Sequence, residues 1–145
     1  MKLEWMMLAN HAEVANDLLY ISGGGWDTIQ VGGQLPGAPE GIVGAMLGHL
    51  AIRLLFHVTE TDRTHTFQLS IMAEDGQQIA NLEGEFPVAT NPNVPPGWLQ
   101  NVNLVFPMAG LLLPHEGLYT INFNVNGQWV GDRPFRVQRV DVGEL

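Results

Sequence analysis

From His65 to Ala73 the chain alternates. Phe67, Leu69, Ile71 and Ala73 fall on one side, and Gln68, Ser70 and Met72 on the other. Residues two apart share one face of a strand, so this run predicts a strand with one face buried. Asp75-Gly76 follows as a hairpin signal, since both positions tolerate positive φ. The run Gln77 to Val88 then returns with Ile79, Leu82, Phe86 and Val88. The same grammar recurs from Leu118 to Asn126. Tyr119, Ile121, Phe123 and Val125 point one way, and Thr120, Asn122, Asn124 and Asn126 the other. Asn126-Gly127 is a second hairpin signal, with Trp129 to Val140 as partner strand and Phe135 and Val137 sharing a face. Pro134 has no N–H for a ladder, which predicts an edge position or a bulge.

The longest strand expected is Leu47 to Thr59, with Leu50, Ile52, Leu54, Phe56 and Val58 on the core face. Gln100 to Phe106 is another, with Val102, Leu104 and Phe106 on one face. The beginning is less regular and reads as Leu3 to Asn10, Asp17 to Ser22 and Trp26 to Val31. Thr90 to Gly97, rich in proline and asparagine, reads as a loop. Glycine-rich punctuation about every ten residues and short antiparallel connections predict an all-β fold. The specific expectation is an antiparallel, immunoglobulin-like β-sandwich of about eight strands, a single domain over residues 1–145. Gly117, Leu118 and Tyr119 resemble the opening of the penultimate strand in immunoglobulin-like domains.

Composition narrows the partners. Fifteen acidic residues against six basic ones give a formal net charge of −9. Such a chain repels polyanions, so nucleic acid and anionic membranes are not expected partners. Only 14% of residues are charged while 46% are hydrophobic, which favours self-association or a protein partner. With no cysteine there is no disulfide framework and no thiolate metal site. Glu4 interrupts the apolar start, so no signal peptide is expected, nor is any apolar run long enough for a membrane helix. A cytoplasmic protein, or a component of a virion, is the corresponding expectation.

Candidate chemistry is sparse. Five histidines show no metal-binding spacing. His57 and His65 flank a tight turn, but strand register puts His57 outside and His65 inside, so they cannot face each other without turning a whole apolar face outward. Glu83 and Glu85 share a strand face and read as solvated. Ser70 sits on a regular strand, without a nucleophile elbow. No catalytic residue, metal or cofactor is expected. One string is unusual: Gly23, Gly24 and Gly25 followed by Trp26 and Asp27. It lacks the helix and lysine of a phosphate cradle. Three glycines permit a bulged corner, with Trp26 closing the core and its indole N–H finding a partner. Alternatively Trp26 and Asp27, with Trp98 and Trp129, form a platform for a sugar or a small ligand.

The stretch Met7 to Val14, Leu19-Tyr20-Ile21, the Gly23–Asp27 string, Glu74-Asp75-Gly76 and Phe135-Arg136-Val137 together resemble a family of short bacterial proteins of uncharacterised function. The resemblance implies a compact β domain and carries over no activity, cofactor or catalytic residue. The expected role is a non-enzymatic structural or protein-interaction module, self-assembling or part of a larger particle such as a virion. The alternative is a carbohydrate- or small-ligand-binding sandwich.

Overall fold

The computed structural model describes residues 1–32 and 37–140. These form eleven strands: β1 Lys2–Ala15, β2 Leu18–Trp26, β3 Thr28–Val31, β4 Gly44–Ala45, β5 His49–Phe56, β6 Arg63–Ala73, β7 Gln78–Val88, β8 Gln100–Pro107, β9 Leu112–Leu113, β10 Gly117–Val125 and β11 Gln128–Arg139. Among the described residues the sole helical piece is a 3₁₀ turn, Val58–Glu60. The fold is all-β. One sheet has the order β2-β1-β5-β8 and a second the order β3-β11-β10-β6-β7, with β4 and β9 forming a small ribbon. Both large sheets curl into half-barrels. The pairings are antiparallel except that of β3 with β11.

Alternation explains how the sheets meet. Across the second sheet, Tyr119 faces Ala73, Ile121 faces Ile71 and Phe123 faces Leu69, so odd-numbered apolar residues of neighbouring strands share a face. In the first sheet Leu50, Ile52, Leu54 and Phe56 are fully buried. Both sets belong to one hydrophobic cluster. Each such side chain contributes about 1.5–3 kcal/mol on burial, so a one-residue slip would forfeit a large sum. His65 shows the same parity, being 1% exposed and packed on Phe56 and Phe86. Its Nε2 lies 2.8 Å from the Glu60 carbonyl and its Nδ1 2.9 Å from the Asn126 amide nitrogen. His57 is exposed, outside the core.

The elements depart from the pattern in several places, and β1 and β2 run on to Ala15 and Trp26, past the expected ends at Asn10 and Ser22. Val58, expected on the core face, is exposed. The strand ends at Phe56 because the chain turns there, with the Glu60 carboxylate accepting the His57 N–H at 2.9 Å and the Met1 amino group at 2.6 Å. At the other end β5 begins at His49 rather than Leu47. Gly48 has φ +76, and a Cβ there would lie 2.1 Å from the Ala9 carbonyl oxygen. In β7 a bulge after Ile71 pairs Ile71 with Ala80 and Met72 with Gln78. Ile79 is thereby skipped, and Leu82, on this edge strand, stays half-exposed. Lastly, Trp26 to Val31 is not one strand, since the chain leaves the first sheet at Trp26 and enters the second at Thr28. Pro134 sits in β11 where the Arg136 N–H, two residues on, donates to the Asp27 carbonyl. The Pro134 nitrogen therefore faces the side of β11 that lies beyond the end of β3, where no donor is needed.

Tyr119 locks the entry to β10. Its phenol donates to the His115 carbonyl at 2.6 Å and accepts the His115 N–H at 3.2 Å. The ring stacks on Phe135 with centroids 5.2 Å apart. Burial raises the phenol above its ordinary range, and the nearby carboxylates of Asp75 and Glu74 add to this against the His115 hydrogen bond. Tyr119→Phe is expected to cost about 1–2 kcal/mol at neutral pH, read from denaturant unfolding. A raised folded-state value means the tyrosine's contribution is intact below pH ~10 and is lost as pH rises through the folded value. The difference between the wild type and Tyr119→Phe should therefore hold up to about pH 10 and shrink as pH rises beyond it.

Candidate functional site

The first sheet has a face turned away from the core, and the geometry of β1 makes it concave. Only the first part of β1, Lys2 to Ala9, pairs with β5. The remainder pairs with β2 alone, up to a two-residue turn at Asn16 and Asp17, with φ 51 and 63. Positive φ at both positions is the type I′ geometry of tight hairpins. Released from β5, this hairpin arches over the sheet until the Asp17 carbonyl accepts a hydrogen bond from Asn103 Nδ2 of β8 at 3.2 Å. The space beneath is a groove of about 1120 Å³.

Its floor is a row across three strands. Trp5 of β1 stands opposite Arg53 of β5, and Arg53 opposite Asn103 of β8. The register shifts between Leu3 and Trp5, at Glu4. Glu4 Oε2 takes the Arg53 Nε–H at 2.5 Å, so the guanidinium is compensated on one side. Asn103 Oδ1 is buried with no hydrogen-bond partner. The hairpin wall carries Val14, Leu19 and Ile21, and the opposite rim is the loop from β7 to β8, with Thr90, Asn91, Asn93 and Val94.

That loop is pinned. Asp62, at φ 58, accepts the Thr90 N–H at 2.9 Å and the Thr90 hydroxyl at 2.7 Å. Gln100 donates to the Ala89 carbonyl at 2.6 Å and accepts the Asn91 N–H at 2.9 Å. The two Thr90 hydrogen bonds, backbone first, hold the Asp62 carboxyl below its ordinary range.

The residues singled out from sequence are not brought together here. Gly23, Gly24 and Gly25 precede Trp26, the last residue of β2, with φ +61 at Gly23 and +91 at Gly25. A Cβ on Gly24 would press on Ile21 and Met7. This is the corner at which the chain crosses between sheets. Trp26 packs against the core, but its indole N–H is buried without a partner among the described residues, contrary to expectation. The Asp27 carbonyl accepts the Arg136 N–H at 2.8 Å, and its carboxylate accepts the Thr28 hydroxyl at 3.1 Å. Trp98 and Trp129 are 71% and 62% exposed, and neither lines the groove. Trp129 donates to Asn122 at 3.3 Å. The tryptophan that does line it, Trp5, carried no signal in the sequence beyond its alternation within β1. The histidines that touch are His11 and His49, edge to face at 5.0 Å. Among the described residues no group of three potential metal ligands forms. No helix among them is long and apolar enough to cross a membrane.

The four outer strands differ in how they are guarded. β7 carries Glu83, Glu85 and Pro87, β3 has four residues, and β8 adjoins the pinned loop. β2, LLYISGGGW, has neither a charge nor a proline. Leu18 and Tyr20 point to solvent at 60% and 49% exposure.

Together these features define an all-β domain whose curled outer sheet carries a covered groove and one bare edge. Residues 4–138 match a family of unknown function, DUF6941, and the chain belongs to that family. No curated protein matches the chain. Among solved structures, Pseudomonas fluorescens alkylpurine DNA glycosylase AlkC, bound to DNA containing an abasic site analog, aligns at 10% identity and a TM-score of 0.38. The alignment covers 77% of this chain and 28% of that one, so the chain spans less than a third of that protein.

A depressed folded-state value at Asp62 means its contribution is present above pH ~4 and is lost as pH falls through the folded value. Asp62→Asn should therefore melt below the wild type at pH 6, and the gap should narrow towards pH 2–3 in thermal scans.

Proposed function

We propose that the chain is a non-catalytic interaction module of immunoglobulin-like build that associates with copies of itself through the open edge of β2. Three features support the build. The first strands cross from one sheet to the other, β3 runs parallel to the last strand β11, and the Tyr119 phenol closes the turn before the penultimate strand. The bare β2 edge carries the functional reading. A long strand at a sheet edge is a template for further pairing unless charge, proline or cover blocks it. In a chain of net charge −9, β2 is an uncharged segment at which two copies can approach without direct repulsion. The hairpin fixes which groups are offered. Ala15 and Leu18 flank the two-residue turn and exchange hydrogen bonds, so by alternation the N–H groups of Leu19 and Ile21 face outward. Antiparallel pairing of two β2 strands about a two-fold axis satisfies both sets at once. Incorporation into a larger particle such as a virion is a setting in which such an edge serves.

Size-exclusion chromatography with light scattering tests this. The wild type is expected to run at a multiple of 15.9 kDa. Placing like charges on the edge with Tyr20→Lys and Ser22→Lys should return it to a monomer without lowering its melting temperature. A wild type that stays monomeric at about 1 mM, where an association of about 4 kcal/mol would register, overturns the reading.

A further inference from the structure

We infer that the groove beneath the β1–β2 hairpin binds an uncharged oligosaccharide, a property separate from association through the outer edge of β2. The floor of the groove spans β1, β5 and β8; β1 and β5 are interior strands whose backbone groups are already used in sheet pairing, and β8 is an outer strand. Over β1 and β5 a ligand meets side chains and no free backbone groups.

The side chains specify the chemistry. Trp5, Arg53 and Asn103 stand in line across three strands, a span of roughly 10 Å at ordinary strand spacing. That is the reach of a disaccharide. Trp5 offers an apolar ring with a polar N–H at its rim, the combination on which a sugar ring stacks. Arg53 has its Nε committed to Glu4, leaving its terminal nitrogens as donors while the local charge is balanced. Asn103 has its Nδ2 committed to the Asp17 carbonyl, leaving Oδ1 as a buried acceptor that lacks a donor. Asn101, next along the same strand edge of the groove, is exposed. The terminal nitrogens of Arg53 donate, and the exposed Asn101 amide both donates and accepts, which suits a ligand whose every polar group does both, as a hydroxyl does. Compensation of Arg53 and the net charge of −9 disfavour an anionic ligand. The arched hairpin overhangs one side of the floor and leaves a half-open groove.

Isothermal titration with maltohexaose, cellohexaose and chitohexaose as separate probes tests the assignment. At least one is expected to bind with a dissociation constant between about 10 μM and 1 mM. Trp5→Ala and Asn103→Leu should each weaken that binding at least tenfold, while Trp98→Ala and Trp129→Ala leave it unchanged. Asn101→Ala, at an exposed position, serves if Trp5→Ala does not fold, with a loss of severalfold expected. Tyr20→Lys, which acts on the edge, should change oligomeric mass and not sugar affinity, so the two readings fail independently. No binding of any probe at millimolar concentration overturns the inference. So does binding that survives Trp5→Ala and Asn103→Leu, or a groove that takes a peptide of alternating apolar residues and no sugar.

Discussion

Everything distinctive about this domain follows from one change of direction, the crossing of the chain from one sheet to the other at Asp27. A continuous strand from Leu18 to Val31 would have stayed beside β1. Instead Gly23 and Gly25 adopt positive φ, Trp26 drops onto the core, and the Asp27 carbonyl is captured by the Arg136 N–H. β3 then runs parallel to β11 in the opposite sheet. The two sheets are thereby joined through the backbone as well as through the side chains of their common core. Only residues without a Cβ make such a corner at little conformational cost. The glycines therefore serve the connection, and a ligand role for them is not needed to account for their presence.

The crossing has a second effect. Because the strand after Trp26 belongs to the other sheet, no further strand covers β2 among the described residues, and it remains an outer strand of the first sheet. The hairpin it forms with β1 is longer than the strand supporting it, since β5 stops pairing at Ala9. An unsupported right-twisted ribbon curls, and here it curls until Asp17 meets Asn103. The groove and the bare edge thus belong to one hairpin: Leu18, Leu19 and Ile21 line the groove, and the half-exposed Tyr20 lies outside its lining. Its inner surface suits a small polar ligand and its outer edge suits another strand.

Much of the core was legible in the chain and little of the site was. Period-2 alternation in β5, β6 and β10 marked the buried faces because burial of one face is what that pattern encodes. It placed His65 inside and His57 outside on parity alone. It failed at Val58, where a carboxylate-capped turn ends the strand, and it did not foresee the bulge at Ile79, since neither leaves a periodic trace. The row of Trp5, Arg53 and Asn103 was invisible for a different reason. Its members lie on three strands far apart in sequence, and only strand order and register bring them into line. The fold also brings the rings of His11 and His49 into contact, which no spacing motif would suggest. The glycine corner was visible as composition, but what it connects was not.

The account rests on β2 being an edge that other chains complete, and amide hydrogen exchange followed against protein concentration tests this most directly. The N–H groups of Leu19 and Ile21 should exchange freely in dilute solution and become protected as concentration rises, while the amides of the guarded edge β7 keep one rate throughout. Fast exchange at Leu19 and Ile21 at every concentration, with β7 unchanged, would contradict it.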